Sequence, residues 1–126
     1  MDTLLPHPRT ILRLKRPGDF RRIYDAGNKS VGRCMIMWVA PSTDPYTKVG
    51  VVASKRSIGN AVKRNRAKRR LRAATRLQRE VLPVGTDVVL VARPKILTAS
   101  WDDLVTDFTC CAEGLNPAAN SSPNQP

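Results

Sequence analysis

The chain has few of the residues on which enzymes most often rely. It contains one histidine, three cysteines and ten acidic residues among 126. The acidic residues are scattered, and the nearest group, Asp102, Asp103 and Asp107, is predicted to open a helix rather than to hold two metal ions. The sequence has no Cys/His pair, nucleophile elbow or glycine-rich phosphate loop. We therefore expect no catalytic residue and no metal site in this chain.

Long apolar runs are also missing. Runs such as Met35–Ala40 are far shorter than the roughly 20 residues that a membrane-spanning helix needs. The N-terminal stretch has no apolar core of the secretory type. Cys34, Cys110 and Cys111 lack metal-ligand spacing, and adjacent cysteines seldom form a disulfide bond. We expect a cytoplasmic protein with reduced thiols, no membrane segment and no export signal.

Positive charge, by contrast, is concentrated in one stretch. The net charge is +12, and Lys55–Arg79 holds 11 of the 22 lysines and arginines without any acidic residue. Residues 80–126 carry two basic and six acidic residues, so we expect the positive charge to be concentrated on one part of the surface. A basic patch beside a mildly acidic segment indicates nucleic-acid binding more than general adhesiveness.

This stretch is predicted to form an amphipathic helix from Asn60 to Val81. Its apolar side has residues three or four positions apart: Ala67, Leu71, Ala74, Leu77 and Val81. Its other side is positively charged and consists of Asn65, Lys68, Arg69, Arg72, Arg76 and Arg79.

The charge pattern of this helix differs from that of an ordinary solvated helix. Solvated faces usually mix Glu with Lys, whereas Lys68–Arg72 and Arg72–Arg76 are like-charge pairs that weaken a helix. Cations also occupy the first turn, where acidic residues are preferred. Arginine outnumbers lysine by 8 to 3 between residues 55 and 79, which favours bidentate contact with phosphate oxygens. These features predict polyanion binding.

The motif Gly59–Arg69, GNAVKRNRAKR, follows Val49–Arg56, VGVVASKR. Together they resemble the signature of the bacterial ribonuclease P protein family, and the likeness covers roughly Leu14–Phe108. The resemblance implies a subunit that binds a catalytic RNA and precursor tRNA. In that family the RNA removes the 5′ leader by magnesium-dependent hydrolysis. The implied cofactor is Mg²⁺, bound mainly by the RNA subunit, with one protein per RNA.

The resemblance also implies two groups of binding residues. The group that meets the catalytic RNA comprises Lys55, Arg56, Asn60, Lys63, Arg64, Asn65, Arg66, Lys68, Arg69, Arg72 and Arg76. The group lining a cleft for the single-stranded leader comprises Phe20, Tyr24, Ile36 and Trp38. Aromatic rings stack on any base at about 1–3 kcal/mol each, which suits a subunit that serves every precursor. Core packing is the alternative explanation for these aromatic residues.

The predicted fold class is α+β, a two-layer sandwich in the order α-β-β-α-β-α. Asp19 is a plausible cap for a helix over Phe20–Ala26 that stops at Gly27. The predicted strands are Arg33–Ala40, Lys48–Ser54 and Asp87–Arg93, the second antiparallel to the first. A capping box at Ser100–Asp103 opens the last helix, which runs through about Glu113.

The predicted domain organisation is a flexible tail over residues 1–13, one RNA-binding domain over 14–113 and a disordered tail over 114–126. The β-α-β crossover around the basic helix would be right-handed by the general rule. The family resemblance implies a left-handed crossover instead.

Two other functions are compatible with parts of the sequence. A ribosomal-type or chaperone-like RNA-binding module would share the basic helix and the aromatic residues. An autonomous metal-dependent nuclease would need the carboxylate cluster that the sequence does not show.

Overall fold

The computed structural model describes residues 11–42, 45–82 and 85–114. Of the tails predicted over residues 1–13 and 114–126, residues 1–10 and 115–126 lie outside the described residues. The elements, in chain order, are β1 (Ile11–Arg13), α1 (Pro17–Ala26), β2 (Asn28–Val31), β3 (Met35–Pro41), β4 (Thr47–Val52), α2 (Lys55–Ile58), α3 (Ala61–Leu77), β5 (Thr86–Ala92) and α4 (Trp101–Gly114). Two short 3₁₀ turns cover Arg79–Val81 and Pro94–Leu97. The α+β class is confirmed, with five strands and four helices in the described part.

The strands form one mixed sheet in the order β1-β4-β5-β3-β2. β5 pairs antiparallel with β3 and parallel with β4, and β4 pairs parallel with β1. The direction predicted for the second strand is therefore correct, because β4 runs opposite to β3, although β5 lies between them. β4, α3 and β5 make the expected strand–helix–strand unit. The left-handed path implied for this unit stays a prediction.

Two short strands are absent from the sequence-based prediction. Ile11–Arg13, which the sequence places in the N-terminal tail, pairs with Thr47–Val49 as β1. Asn28–Val31 pairs antiparallel with Ile36–Val39 as β2. Its side chains are mostly exposed. Both strands therefore depend on pairing with a longer neighbour rather than on an apolar pattern of their own.

The helix ends follow ordinary capping chemistry, with one correction. Gly27 ends α1 in the left-handed region, at φ 75°, as predicted. The Asp19 cap is wrong, because α1 begins at Pro17 with Arg16 at the cap position, and Asp19 lies in the first turn. The Ser100 cap is confirmed, since its Oγ accepts the Asp103 N–H at 3.1 Å.

Helices cover the two faces of the sheet unequally. The larger core lies between the sheet and α3 and α4, and includes Met35, Met37, Leu71, Leu90, Leu104 and Phe108. The smaller core lies under α1 and consists of Leu14, Ile23, Ala40 and Val89. α1 thus forms a partial third layer that the two-layer prediction does not include. α1 covers only part of this face of the sheet and leaves the rest open.

The buried side of α3 is close to the predicted one. Ala67, Leu71 and Ala74 are fully buried, but Leu77 is 59% exposed, so its assignment to the core is wrong. Thr75 is buried instead, and its hydroxyl donates to the Leu71 carbonyl oxygen at 2.8 Å. Of the helices in the described ranges, none combines the length and the apolar character that a membrane span requires.

Candidate nucleic-acid interface

Two helix starts lie next to each other at the beginning of the basic stretch. Ser54 Oγ accepts the Ser57 N–H at 3.0 Å and caps α2, and Asn60 Oδ1 accepts the Lys63 N–H at 2.9 Å and caps α3. Gly59 joins the helices at φ 117°, a conformation that favours glycine. Asn60, predicted to bind RNA, therefore has its side-chain oxygen occupied in the fold.

The other predicted RNA-binding residues lie on the surface of α2 and α3. The exposed ones are Lys55, Arg56, Lys63, Asn65, Arg66, Arg69 and Arg76. Arg64, Lys68 and Arg72 are half-buried. Among the described residues, none of these cations forms an ion pair with an acidic side chain. The Arg64 Nε atom is buried and has no hydrogen-bond partner within the described ranges. The positive charge of this surface is thus left uncompensated.

One flank of α3 borders a groove at the edge of β4. Lys68, Arg72 and Arg76, four residues apart, line a cavity of about 650 Å³ together with Phe20 and Gly50. Arg13 and Lys15 line it too, and among the described residues no acidic one does. The cationic flank of α3 and the first predicted aromatic residue therefore share one groove, which we call the α3 groove.

Arg70 lies on the opposite flank of α3 and has a structural contact. Its Nη2 donates to the Ala99 carbonyl oxygen at 2.8 Å. This contact joins α3 to the segment before α4, so the two flanks of the helix differ in what they can bind.

An ion pair beneath α1 holds this helix, and with it Phe20 and Tyr24, against the sheet. Arg22 Nη2 donates to Asp87 Oδ2, and Arg22 Nη1 donates to the Pro41 carbonyl oxygen at 3.0 Å. Asp87 is almost completely buried, and its other oxygen has no partner among the described residues. This contact joins the middle of α1 to β5 and the end of β3.

Tyr24 and Trp38 form an edge-to-face pair next to the open part of the sheet. Their ring centroids are 5.1 Å apart with an interplanar angle of 85°. Both side chains are half-buried, and burial raises the pKa of the Tyr24 phenol. The Nζ of Lys29 lies 5.0 Å from the centre of the Trp38 ring, close enough for a cation–π interaction.

The open part of this face has an apolar floor that crosses four strands. Val52, Val91, Ile36 and Val31 are register partners on β4, β5, β3 and β2. All four are partly exposed, and Val31 is 57% exposed. Three strand spacings of about 4.8 Å make this row about 14 Å long. We call the floor and the neighbouring Phe20, Tyr24 and Trp38 the aromatic cleft.

The structure thus brings together the predicted cleft residues and one flank of the predicted cationic helix. It also shows a residue that sequence reasoning misses, because Lys29 reaches Trp38 only through the β2–β3 register. Gly50 is a second one, since Phe20 packs on it. The alternation of Lys29, Ser30 and Val31 beside a glycine could have indicated a hairpin strand. Within the described ranges, no three His, Cys, Asp or Glu side chains are grouped so as to hold a metal ion.

The fold and this surface define a small basic α+β protein in which a cationic helix borders an aromatic cleft. A family model described as Ribonuclease P matches residues 9–116. The chain therefore belongs to the ribonuclease P protein family. As the protein component, it is a subunit of an endoribonuclease holoenzyme that matures the 5′ ends of tRNA, and this implies association with the RNA of that enzyme.

Similar proteins and structures agree with this assignment. The chain is 38% identical over 92 residues to the ribonuclease P protein component of Herpetosiphon aurantiacus, covering 73% of this chain and 74% of that protein. It is 39% identical over 102 residues to that of Chloroflexus aurantiacus, covering 80% and 75%.

Two solved structures show the same fold at 24% identity. The ribonuclease P protein of Staphylococcus aureus matches with a TM-score of 0.70 over 82% of this chain and 97% of that one. That of Thermotoga maritima matches with a TM-score of 0.68 over 76% and 90%.

Proposed function

We propose that α2 and α3 bind the catalytic RNA of ribonuclease P, and that the aromatic cleft holds the 5′ leader of precursor tRNA. The observation that carries the proposal is the α3 groove. In it Lys68, Arg72 and Arg76 face the same cavity as Phe20, at the border of the cleft. A strand of RNA in this groove would place phosphates on the cations and bases on the aromatic side.

The cationic surface suits a structured RNA. Phosphates attract Arg and Lys irrespective of sequence, and each neutralised phosphate releases bound counterions. The capped starts of α2 and α3 add backbone N–H groups and the positive ends of two helix dipoles, though α2 is only one turn long. Lys55, Arg56, Lys63 and Arg66 are exposed beside these two starts. We place the catalytic RNA on this surface.

The aromatic cleft suits an unpaired strand. Bases of single-stranded RNA are free to stack on aromatic rings, and stacking requires no particular sequence. Trp38 is half-buried, so part of its ring remains available, and the floor beside it is apolar. A leader in this position would be held by stacking, and its phosphates would remain near Lys29 and the cations of the α3 groove.

Within the described residues, no constellation of side chains for cutting RNA is found. The described residues do not form a group that could hold Mg²⁺. We propose that the RNA subunit carries the catalysis and binds most of the Mg²⁺, with one protein per RNA, in the cytoplasm. The protein would contribute by binding the leader and by reducing the repulsion between the phosphates of the leader and those of the RNA subunit.

The test is cleavage of precursor tRNA at low magnesium concentration by the cognate RNA subunit, with and without this protein. We expect cleavage at the mature 5′ end that requires the RNA and is markedly improved by the protein. Tight RNA binding without any effect on cleavage would favour a ribosomal-type or chaperone-like binding module. Cleavage by the protein with magnesium alone would favour an autonomous nuclease.

A further inference from the structure

We propose that a second cluster of cations, at the β2 end of the aromatic cleft, binds leader phosphates after the leader has crossed the cleft. The cluster consists of Lys29, Arg33, Arg93 and Lys95, and we call it the β2-edge cluster. These residues line a cavity of about 940 Å³ between β2, the turn after it and α4. The proposal rests on the function proposed above, because it extends the path of the leader.

The position of the cluster continues the floor of the cleft. Val31, the last floor residue, lines the same cavity, and Lys29 is on the same side of β2. Arg93 follows Val91, another floor residue, by two positions. A strand of RNA that crosses the floor from Val52 to Val31 therefore reaches the β2 edge, and it meets these cations by turning round that edge towards α4, which covers the other face of the sheet.

The direction of the path follows from the other end of the floor. Val52 ends β4, and only Ala53 and Ser54 separate it from α2. We place α2 and α3 near the catalytic RNA, so the leader nucleotides next to the cleavage site belong at the Val52 end. Nucleotides nearer the 5′ end then lie at Val31 and the β2-edge cluster.

The turn that carries Arg33 is held in place from two sides. Asp107 on α4 accepts the backbone N–H of Arg33 on Oδ1 and that of Cys34 on Oδ2, both at 2.9 Å. Arg93 Nη1 donates to the Gly32 carbonyl oxygen at 2.7 Å. A Cβ on Gly32 would lie 2.5 Å from Asp107 Oδ2, so glycine is needed for this close approach.

The charge of the cluster is largely uncompensated. Asp107 is the one acidic residue among the described residues that line the cavity, and both its oxygens accept backbone N–H groups. Asp103 lines a smaller adjoining cavity of about 300 Å³ with Arg33 and Lys95. Neither Arg33 nor Lys95 forms an ion pair with an acid in the part of the chain that the structure describes. Both are exposed, as a phosphate contact requires.

The test compares leaders of different length in the reconstituted holoenzyme. The variant is Arg33→Ala/Lys95→Ala, and the substrates are mature tRNA, a precursor whose leader is too short to cross the floor, and precursors with long leaders. We expect the variant to bind long-leader precursors roughly fivefold more weakly, with a salt slope lower by about 1.4 for two contacts to single-stranded phosphates. Binding of the short-leader precursor and of mature tRNA should be unchanged.

The matched control is Arg21→Ala/Arg79→Ala. Like the test variant, it removes two exposed cations, but from positions that line neither the α3 groove nor this cavity. It should show no dependence on leader length. Thermal unfolding of all variants checks that the fold is intact.

Trp38→Ala, measured in parallel, separates the two proposals. If Trp38→Ala reduces leader selectivity while Arg33→Ala/Lys95→Ala has no effect, or an equal effect on every substrate, the β2-edge cluster is not a leader site and the cleft remains one. If neither variant affects leader selectivity, leader binding by this face of the protein is itself refuted.

Discussion

The ring of Phe20 lies directly against the backbone of Gly50. A Cβ built on Gly50 would come within 2.6 Å of the Phe20 Cζ atom and within 3.3 Å of the Leu14 Cβ atom. The absence of a side chain at Gly50 therefore lets the start of α1 approach β4. This contact places Phe20 at the junction of the α3 groove and the aromatic cleft.

Gly50→Ala should accordingly disturb both stability and the cleft. We expect a loss of about 1–3 kcal/mol in the free energy of unfolding, because the added methyl group forces Phe20 off its position. Urea denaturation measures this loss. Gly18→Ala is the matched control, since a Cβ at Gly18 meets no atom within 4 Å, and it should be neutral or slightly stabilising. A fully stable Gly50→Ala variant would show that Phe20 can move at no cost.

Arg66→Ala tests the placement of the catalytic RNA on α3. Arg66 is exposed and forms no ion pair within the described residues, so its removal should leave stability unchanged. The loss of one phosphate contact should weaken binding of the RNA subunit and lower the log–log salt slope by about 0.9. Titration at several salt concentrations measures both quantities. Arg21→Ala is the control, because Arg21 is also an exposed cation but lies on α1 rather than on α3. Unchanged affinity and slope in Arg66→Ala would remove that residue from the interface.

Trp38→Ala tests whether the aromatic cleft binds the leader. Loss of one stacking ring should cost about 1–3 kcal/mol in binding of precursor tRNA, or about five- to 150-fold, and much less in binding of mature tRNA. Equilibrium binding to the holoenzyme measures the difference between the two substrates. Trp38→Phe should retain most of the selectivity because it keeps a ring. Equal losses for both substrates would assign Trp38 to core packing with Tyr24.

The ion pair between Arg22 and Asp87 predicts an asymmetry in stability. Arg22→Ala leaves a buried carboxylate without its cation, whereas Asp87→Asn leaves an arginine that is partly exposed and can be hydrated. Arg22→Ala should therefore destabilise the fold more than Asp87→Asn does. The double variant should be more stable than Arg22→Ala alone. Chemical denaturation of the three variants measures this order, and the reverse order would mean that Asp87 is not held by the ion pair.

The three cysteines should differ in reactivity and in their effect on stability at alkaline pH. Burial raises the pKa of Cys111 to about 12, and burial also raises the pKa of Cys34, whereas Cys110 is exposed. At pH 8 a thiol reagent should label Cys110 quickly and the other two only on unfolding. Because the buried thiols keep their protons in the native state, their contribution to stability should be constant below about pH 9 and should be lost as the pH rises towards 12. Rapid labelling of all three thiols in the native protein would contradict this.

The longer elements could be predicted from the sequence because each has its own pattern. α1, β3, β4, α3, β5 and α4 all have an apolar periodicity or a recognisable cap. β1 and β2 lack both, since they are three and four residues long and are held by backbone pairing with distant strands. The spacing of Leu77 fits the apolar stripe and predicts a core position, but the helix ends there and the side chain is exposed.

The residues of the candidate site also fall into two groups, those that a local sequence pattern indicates and those that only the fold brings together. The cations of α3 form a continuous run, and Phe20 and Tyr24 are one helical turn apart, so local spacing indicates a shared helix face, whereas their RNA-binding roles follow from the family resemblance and stay predictions. Lys29, Arg33, Arg93 and Lys95 are far apart in the sequence, and each resembles an ordinary surface residue. Only the register of β2, β3 and β5 and the contact of Asp107 with the turn after β2 bring them together.

The like-charge pairs along α3 affect the folding equilibrium as well as the interface. In the free protein, Lys68, Arg72 and Arg76 repel one another and so reduce stability, and dissolved salt should relieve this repulsion. In the complex, RNA phosphates supply the missing negative charge, so binding should stabilise the fold by mass action. Salt should therefore stabilise the protein alone while weakening its complex with RNA. The subunit is thus more stable in its complex with RNA than alone, and its charge pattern favours the assembled state over the free protein.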